Sequence, residues 1–270
     1  MNLFINQLYE QYASELNTVY GHSYFDFSIT FSDENASHPI KCRNQECTLG
    51  NLLADAFVDV VSANLSIVNG GNVRTNLLKG DITRKQVIDV SLFFNSIFVK
   101  ELTSEAILNA LEFGVSNLPK AFGGFLQVSG CSYYVSTSIN STVEKVSDGM
   151  FVKVGGERRV SNVKIKGIPL NLSQKYHLSA SEFILDGGDG FSMFREFPIV
   201  NESVFADRNV LGYYIKNDLE GKIPSKYQEL QNRINIDKEP DDDDEINKID
   251  LLIQYLKNNL IYLYLSLLLI

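Results

Sequence analysis

The sequence predicts an α+β domain, and three observations carry that reading. Apolar residues recur at helical spacing in several stretches of the first half. From Gly124 onward, short extended segments follow one another instead: FLQVS, SYYVS, MFVKV, RRVSNVKIKG and YHLSAS. Helical and extended patterns do not alternate regularly, as a parallel sheet with crossover helices would require. The expectation is one compact domain over residues 21–232, with a mixed sheet and flanking helices. A leading helix over 1–20 precedes it, and an acidic linker and apolar tail over 233–270 follow. No internal repeat is visible.

In chain order, Leu3, Ile5, Leu8, Tyr9, Tyr12 and Leu16 place one apolar stripe on the leading helix. Tyr24, Phe25, Phe27, Ile29 and Phe31 read as a strand. Thr48 is placed as the N-cap of a helix running to about Ala63. Leu52, Leu53, Ala56, Phe57, Val60 and Val61 form its buried stripe, and Asp55 and Asp59 are expected to face solvent. Thr83 and Gln86 form a capping box for a short helix. Val90 to Leu102 reads as two extended pieces around Phe93, Phe94 and Asn95, and Ser104 to Ser116 as an amphipathic helix. The strands then lead, through a turn at Gly167–Pro169, to the glycine-rich loop Asp186–Gly190, which closes against Phe191. From about Asn209 the tail is helical, then acidic, then apolar.

Two glycine-bearing loops stand out as candidate ligand contacts. In SIVNGGNVR, Ile67 and Val68 deliver a strand to Asn69. Gly70 and Gly71 then let the backbone turn and approach a ligand closely, and Asn72 tolerates the left-handed region. Arg74 adds a planar fork of donors suited to phosphate or sugar oxygens. Arg43 lies just upstream of a helix start, where free N–H groups favour an anion.

Composition excludes several classes. The net charge of −9 is concentrated in Asp237–Glu245, whose seven acids and one lysine carry −6, leaving −3 for the rest. A nearly balanced body does not offer a nucleic-acid surface or a polybasic membrane patch. Three cysteines are too few for a disulfide scaffold. Cys42 and Cys47 can close a small loop in an oxidising compartment, with Cys131 left as a buried thiol. His22, His38 and His177 are scattered and there is no second cysteine pair, which argues against a zinc site. The N-terminus lacks the basic, apolar and cleavage-site order of a signal peptide. Five N-x-S/T sequons (Asn35, Asn64, Asn140, Asn171, Asn201) are compatible with secretion.

Four blocks occur in a fixed order: C-R-x-x-E-C-x-x-G-N-L at Cys42–Leu52, N-G-G-x-x-R at Asn69–Arg74, G-x-F-L-Q-V-x-G at Gly123–Gly130 and F-x-x-x-G-G-D-G-F at Phe183–Phe191. Together they resemble the C-terminal domain of the 5′-nucleotidase family, from about Pro39 to Met193. That family joins a two-metal phosphoesterase domain, through a helix, to this C-terminal domain, which holds the nucleoside. The resemblance implies an α+β fold and a purine nucleotide or nucleoside as ligand. Phe93 and Phe183 match the phenylalanines that sandwich the base; stacking of this kind contributes about 1–3 kcal/mol per base. Arg43 and Arg74 match arginines near ribose and phosphate. Asp189 matches the carboxylate that accepts from ribose hydroxyls, Asn69 the asparagine on the nucleoside, and Gly71 and Gly124, with Gly123, backbone lining the pocket.

The sequence also departs from the family. Asn72 replaces the usual third glycine, and Phe94 replaces the glycine after the first stacking residue. No D-x-H or N-H-E/D ligand motif occurs, so two divalent metals are expected only in an N-terminal metallophosphoesterase partner domain, with no cofactor in this chain. Residues 1–20 occupy the position of the interdomain helix. The chain alone is expected not to hydrolyse nucleotides; the alternative is a non-catalytic nucleoside-binding or interaction module derived from that domain. An extracellular or cell-surface location is expected. Leu260–Ile270 is too short to span a bilayer, which takes about 20 residues. It offers apolar surface for membrane contact, without a convincing GPI attachment triplet.

Overall fold

The structure is a computed structural model that describes residues 10, 12–29 and 41–238. Half of the leading helix, the outer end of the predicted strand at Phe31, and the acidic and apolar tail lie outside these residues. Residues 12–16 are helical. The elements are β1 (Val19–Ser23), α1 (Thr48–Val60), β2 (Leu65–Asn69), β3 (Gly80–Thr83), α2 (Arg84–Val90), β4 (Ser96–Thr103), α3 (Ser104–Gly114), β5 (Leu126–Ser129), β6 (Cys131–Val135), β7 (Val143–Lys145), β8 (Phe151–Val154), β9 (Val160–Ile165), β10 (Ile168–Pro169), β11 (Lys175–Ser181), α4 (Glu182–Leu185), β12 (Ile199–Ala206), α5 (Asp207–Tyr213) and β13 (Ile234–Ile236).

The fold is α+β and the main sheet is mixed, with strand order β12-β4-β11-β2-β5. Only β11 and β2 run parallel in it; every other neighbouring pair is antiparallel. A second sheet, β10-β9-β6-β13, and two ribbons, β1-β3 and β7-β8, were not separated from the main sheet by the sequence reading. All five residues of β2 are buried. Leu65 and Ile67 pack in one core with α3 and the second sheet, while Val68 joins α1, α2 and α5 in another. A strand covered on both faces reads as a continuous apolar run rather than an alternation, which is why LSIVN gave no period-two signal.

Local signals held at α2, where both bonds of the Thr83–Gln86 capping box form. They failed where a distant residue intervened. The N-cap of α1 is Cys47, not Thr48: its Sγ accepts from the Gly50 amide. Cys47 is fixed there by a disulfide to Cys42 and by its own amide, which donates to Gln127 Oε1 at 2.9 Å. The predicted strand around Tyr24 is displaced to β1, with only Phe27 bridging Leu77. Val90 to Leu102 is the end of α2, a loop and one strand, not two extended pieces. The compact unit runs to Asp237. Strand β13, placed beyond the domain by a boundary at 232, pairs in parallel with β6.

Asp55 is the clearest reversal. Expected to face solvent, its carboxylate is buried. It pairs with both terminal nitrogens of Arg233, at 2.7 and 2.9 Å, and accepts from Tyr227 Oη at 2.6 Å and from Ser129 Oγ. Burial pushes this carboxyl up, and the bidentate Arg233 with the two hydroxyls more than offsets that, so Asp55 titrates below its ordinary value. Beside it, buried Glu46 accepts from the amides of Gln231, Arg233 and Ile234 at 2.8, 2.9 and 3.2 Å. These two acids of the α1 region hold the last described strand in place.

A carboxyl with a depressed folded-state pKa stabilises the protein above the unfolded value, near 3.9, and that contribution is lost as pH falls through the folded value. Removing one partner of the buried pair leaves the other uncompensated, at a cost of about 3–5 kcal/mol. Arg233→Ala should therefore lower unfolding free energy strongly at pH 7 and much less below the folded pKa of Asp55. Denaturant titrations of wild type and variant across that range test this; an equal difference throughout would remove the ion pair as the cause.

Candidate functional site

The parallel pair at the centre of the main sheet decides which loops meet. Strands β2 and β11 both end, at Asn69 and Ser181, on the same end of the sheet. Strand β5 is antiparallel to β2 and starts there, with Asn69 opposite Leu126. Strand β4 is antiparallel to β11 and also starts there, with Ser181 opposite Ile97. Strand β12 finishes there, with Ala206 opposite Ser96. The segments 70–74, 91–95, 122–125 and 182–190 thus converge from distant parts of the chain.

Backbone and side-chain ties add a further loop. Gln127, fully buried, donates through Nε2 to the carbonyls of Cys42 and Gln45 at 3.0 and 2.8 Å. The amide of Phe122 donates to Arg43 O at 2.8 Å, and those of Gly70 and Gly71 to Phe125 O and Gly123 O at 2.7 Å each. Gly70 is required by this approach: a Cβ would stand 2.1 Å from Cys42 O. The disulfide loop is thereby held against the NGGNVR loop, and Arg43 reaches the same cavity as Arg74.

That cavity, about 280 Å³ and open to solvent, is lined by Arg43, Asn69, Gly71, Arg74, Phe93, Phe183 and Asp189, together with Asn72, Asn95, Gly123 and Ser181. Eight of the nine residues named for the site from sequence, Gly123 among them, are in it. Gly124 is not. It faces the core, where a Cβ would meet the Phe122 ring at 2.6 Å, and Gly123 takes its place on the wall.

Phe93 and Phe183 are 46% and 45% exposed, unlike the fully buried phenylalanines of the core. They make no ring contact with each other. The Phe183 ring rests over Gly188, where any Cβ would collide at 2.6 Å. Phe94, which stands where the family pattern has glycine, is exposed. It turns outward beneath Arg208, whose guanidinium lies 4.2 Å from the ring centroid. Buried Asp207 fixes the same segment, accepting from Asn95 N and Nδ2 at 3.2 and 3.0 Å. Burial pushes its carboxyl up, against those hydrogen bonds.

On the opposite wall, Asp189 has φ +52°, a left-handed conformation uncommon outside glycine and asparagine or aspartate, between Gly187 at +96° and Gly190 at +98°. The turn aims its Oδ2 at Asn69 Nδ2, 2.8 Å away. Lys100, buried in β4, anchors both sides of the turn by donating to Leu185 O and Phe194 O at 3.0 and 3.1 Å. Burial lowers its pKa, partly opposed by Asp186 at 3.9 Å. Arg74 donates to Gly71 O at 3.2 Å and lies 5.9 Å from the Phe93 centroid. Neither Arg43 nor Arg74 forms an ion pair among the described residues. Two cations and one carboxylate leave the pocket suited to an anion beside a flat apolar group.

Asn95 and Ser181 were not singled out from sequence. Ser181 is a strand-end serine in a predicted strand, and only the parallel register brings it to the cavity. Asn95 follows the Phe93–Phe94 pair, the one local hint. Among the described residues no group of three His, Cys, Asp or Glu comes together to hold a metal ion, and no helix is long and apolar enough to cross a membrane.

Comparison with known proteins agrees with this architecture. A profile of the family described as 5′-nucleotidase, C-terminal domain, matches residues 28–196. The trifunctional nucleotide phosphoesterase protein YfkN of Bacillus subtilis (strain 168) is 29% identical over 227 residues, covering 79% of this chain and 14% of that protein. The 5′-nucleotidase of Bos taurus is 29% identical over 222 residues, covering 77% of this chain and 36% of the relative. The crystal structure of a 5′-nucleotidase precursor from Thermus thermophilus aligns with a TM-score of 0.69 at 27% identity, covering 87% of this chain and 43% of that one. The chain thus spans less than half the length of each. It belongs to the family of 5′-nucleotidase C-terminal domains.

Proposed function

We propose that this chain is the nucleotide-binding portion of a nucleotide phosphoesterase, and that it holds a nucleoside monophosphate or nucleoside in the cavity at the end of the main sheet. The observation that carries the reading is the pair of half-exposed rings, Phe93 and Phe183, facing one cavity beside two arginines without ion pairs and the Asn69–Asp189 pair. The base stacks between the rings. Asp189 accepts from the ribose hydroxyls, with Asn69 holding one of its oxygens in place. Arg43 and Arg74 take the phosphate.

Hydrolysis belongs to a two-metal centre, whose ligands the described residues do not supply. His22 and His177 lie beside Asp81 and Glu101 and do not line the cavity. No hydrolytic step is assigned to this chain, and the metal-bearing partner domain is part of the proposal. The Cys42–Cys47 disulfide supports an oxidising, extracellular or cell-surface location.

Calorimetric titration with AMP and adenosine tests the binding. Asp189→Asn retains the left-handed turn and the shape while removing the charge. It should weaken AMP about tenfold to a hundredfold, the equivalent of one charge-assisted hydrogen bond. The 2′,3′-dideoxy nucleotide should lose much less, and Arg74→Ala should weaken AMP more than adenosine. Equal losses for ribo and dideoxy ligands would remove Asp189 from the ribose site; no binding of either ligand at millimolar concentration would defeat the pocket.

The purified chain should also show no metal-dependent release of phosphate from AMP, because uncatalysed phosphomonoester hydrolysis is extremely slow and the metals supply the nucleophile. Turnover that survives removal of copurifying phosphatase would overturn this assignment.

A further inference from the structure

We propose that Asn72 reads the base: its Nδ2 donates a hydrogen bond to an acceptor on the edge of the nucleobase that stacks on Phe93. This rests on the nucleotide reading above and adds a determinant of specificity to it.

Asn72 is 3% exposed and yet lines the cavity. Its Oδ1 is satisfied by Ser91 Oγ at 2.9 Å. Its Nδ2 donates to no group among the described residues. An amide nitrogen without a protein partner on a cavity wall is available to donate to a ligand. In the structure Ser91 Oγ donates to the amide oxygen, which leaves the donor end for a ligand. A glycine in this position, as the family pattern has, could make no such contact.

The placement selects the base over the phosphate. Ser91 stands two residues before Phe93, so the segment that presents the stacking ring also holds Asn72. A donor fixed to that segment is kept in step with the edge of whatever stacks on the ring. The cavity already holds two guanidinium groups for an anion, and charge-assisted bonds are about twice as strong as neutral ones. A neutral amide adds little to them but matches a neutral ring nitrogen or oxo group. A site built to hydrogen-bond a ligand group discriminates against analogues lacking it, because its own donor is then left unpaired.

The test is titration of wild type, Asn72→Gly and Asn72→Asp with adenosine, AMP and 2′,3′-dideoxyadenosine, alongside melting temperatures. Asn72→Asp keeps an oxygen for Ser91 and replaces only the donor. Adenosine binding should fall about five- to tenfold in both variants, the equivalent of one neutral hydrogen bond. In Asn72→Gly, which adds no charge near the phosphate, AMP and the dideoxy nucleoside should fall by the same factor. Unchanged adenosine affinity in either folded variant overturns the proposal. A loss confined to AMP would assign the amide to phosphate, and one absent from the dideoxy ligand would assign it to ribose; both overturn it. Wild type that binds neither adenosine nor AMP would instead defeat the nucleotide reading itself, and with it this contact.

Discussion

The parallel pairing of β2 with β11, in register at Leu65–Leu178 and Ser66–Ser179, is the constraint on which the rest depends. It sets two strand ends side by side and thereby points the loops after Asn69 and Ser181 into one space. The antiparallel neighbours then have no choice about direction. Strands β4 and β5 must begin where β11 and β2 end, so the Phe93 segment and the Gly123 segment arrive at the same edge. Ligand sites in sheets with parallel strands commonly lie off carboxyl ends, and here a single parallel pair inside a mixed sheet places a cavity there.

Such convergence brings backbone together that has no regular partner, and buried polar side chains complete its hydrogen bonding. Gln127 serves the disulfide loop, Glu46 the segment before β13, and Glu112 the amides of Arg159 and Val160, each at 2.9 Å. Lys100 and Asp207 do the same for the two loops that carry Asp189 and Phe93. A buried charge is tolerated when its lone pairs or protons are fully engaged. These groups meet that condition by holding loops, and the charged groups inside the cavity do not. Arg43, Arg74 and Asp189 keep capacity for a ligand, whereas the capacity of their supports is taken up by the fold.

The cavity and the Asp55–Arg233 pair therefore rest on different supports. The Asp55–Arg233 pair ties α1 to the last described strand, and neither residue lines the cavity. The loops around the cavity rest instead on Lys100, Asp207 and Gln127. A change at Asp55 acts on global unfolding, while a change at Lys100 acts through the geometry of a turn whose central residue already sits at positive φ.

Some of this was legible in the residues and some was not. The capping box, the amphipathic helices and the glycines of NGGNVR and DGGDG could be read from spacing and residue chemistry, and the resemblance carried by four ordered blocks named residues that the fold brings to one cavity. These features are local, or carried by short motifs whose glycines answer a local backbone demand. Asp55 could not be placed, because its partner lies 178 residues away and helix periodicity gives a buried acid no sign of its own. Cys47 displaced Thr48 as N-cap because a disulfide and a glutamine from β5 outweighed a local preference. Gly123 and Gly124 are adjacent and chemically alike; only packing against Phe122 and Phe191 decides which one meets the cavity. Asn72 could be recognised from sequence as a departure, but Ser91 and the cavity wall were needed to show that its oxygen is held and its amide nitrogen is not. Sequence alone determined the elements and the chemistry on offer. Tertiary structure decided the partners, since a hydrogen bond or a strand register between distant residues is fixed only when the whole chain has closed around it.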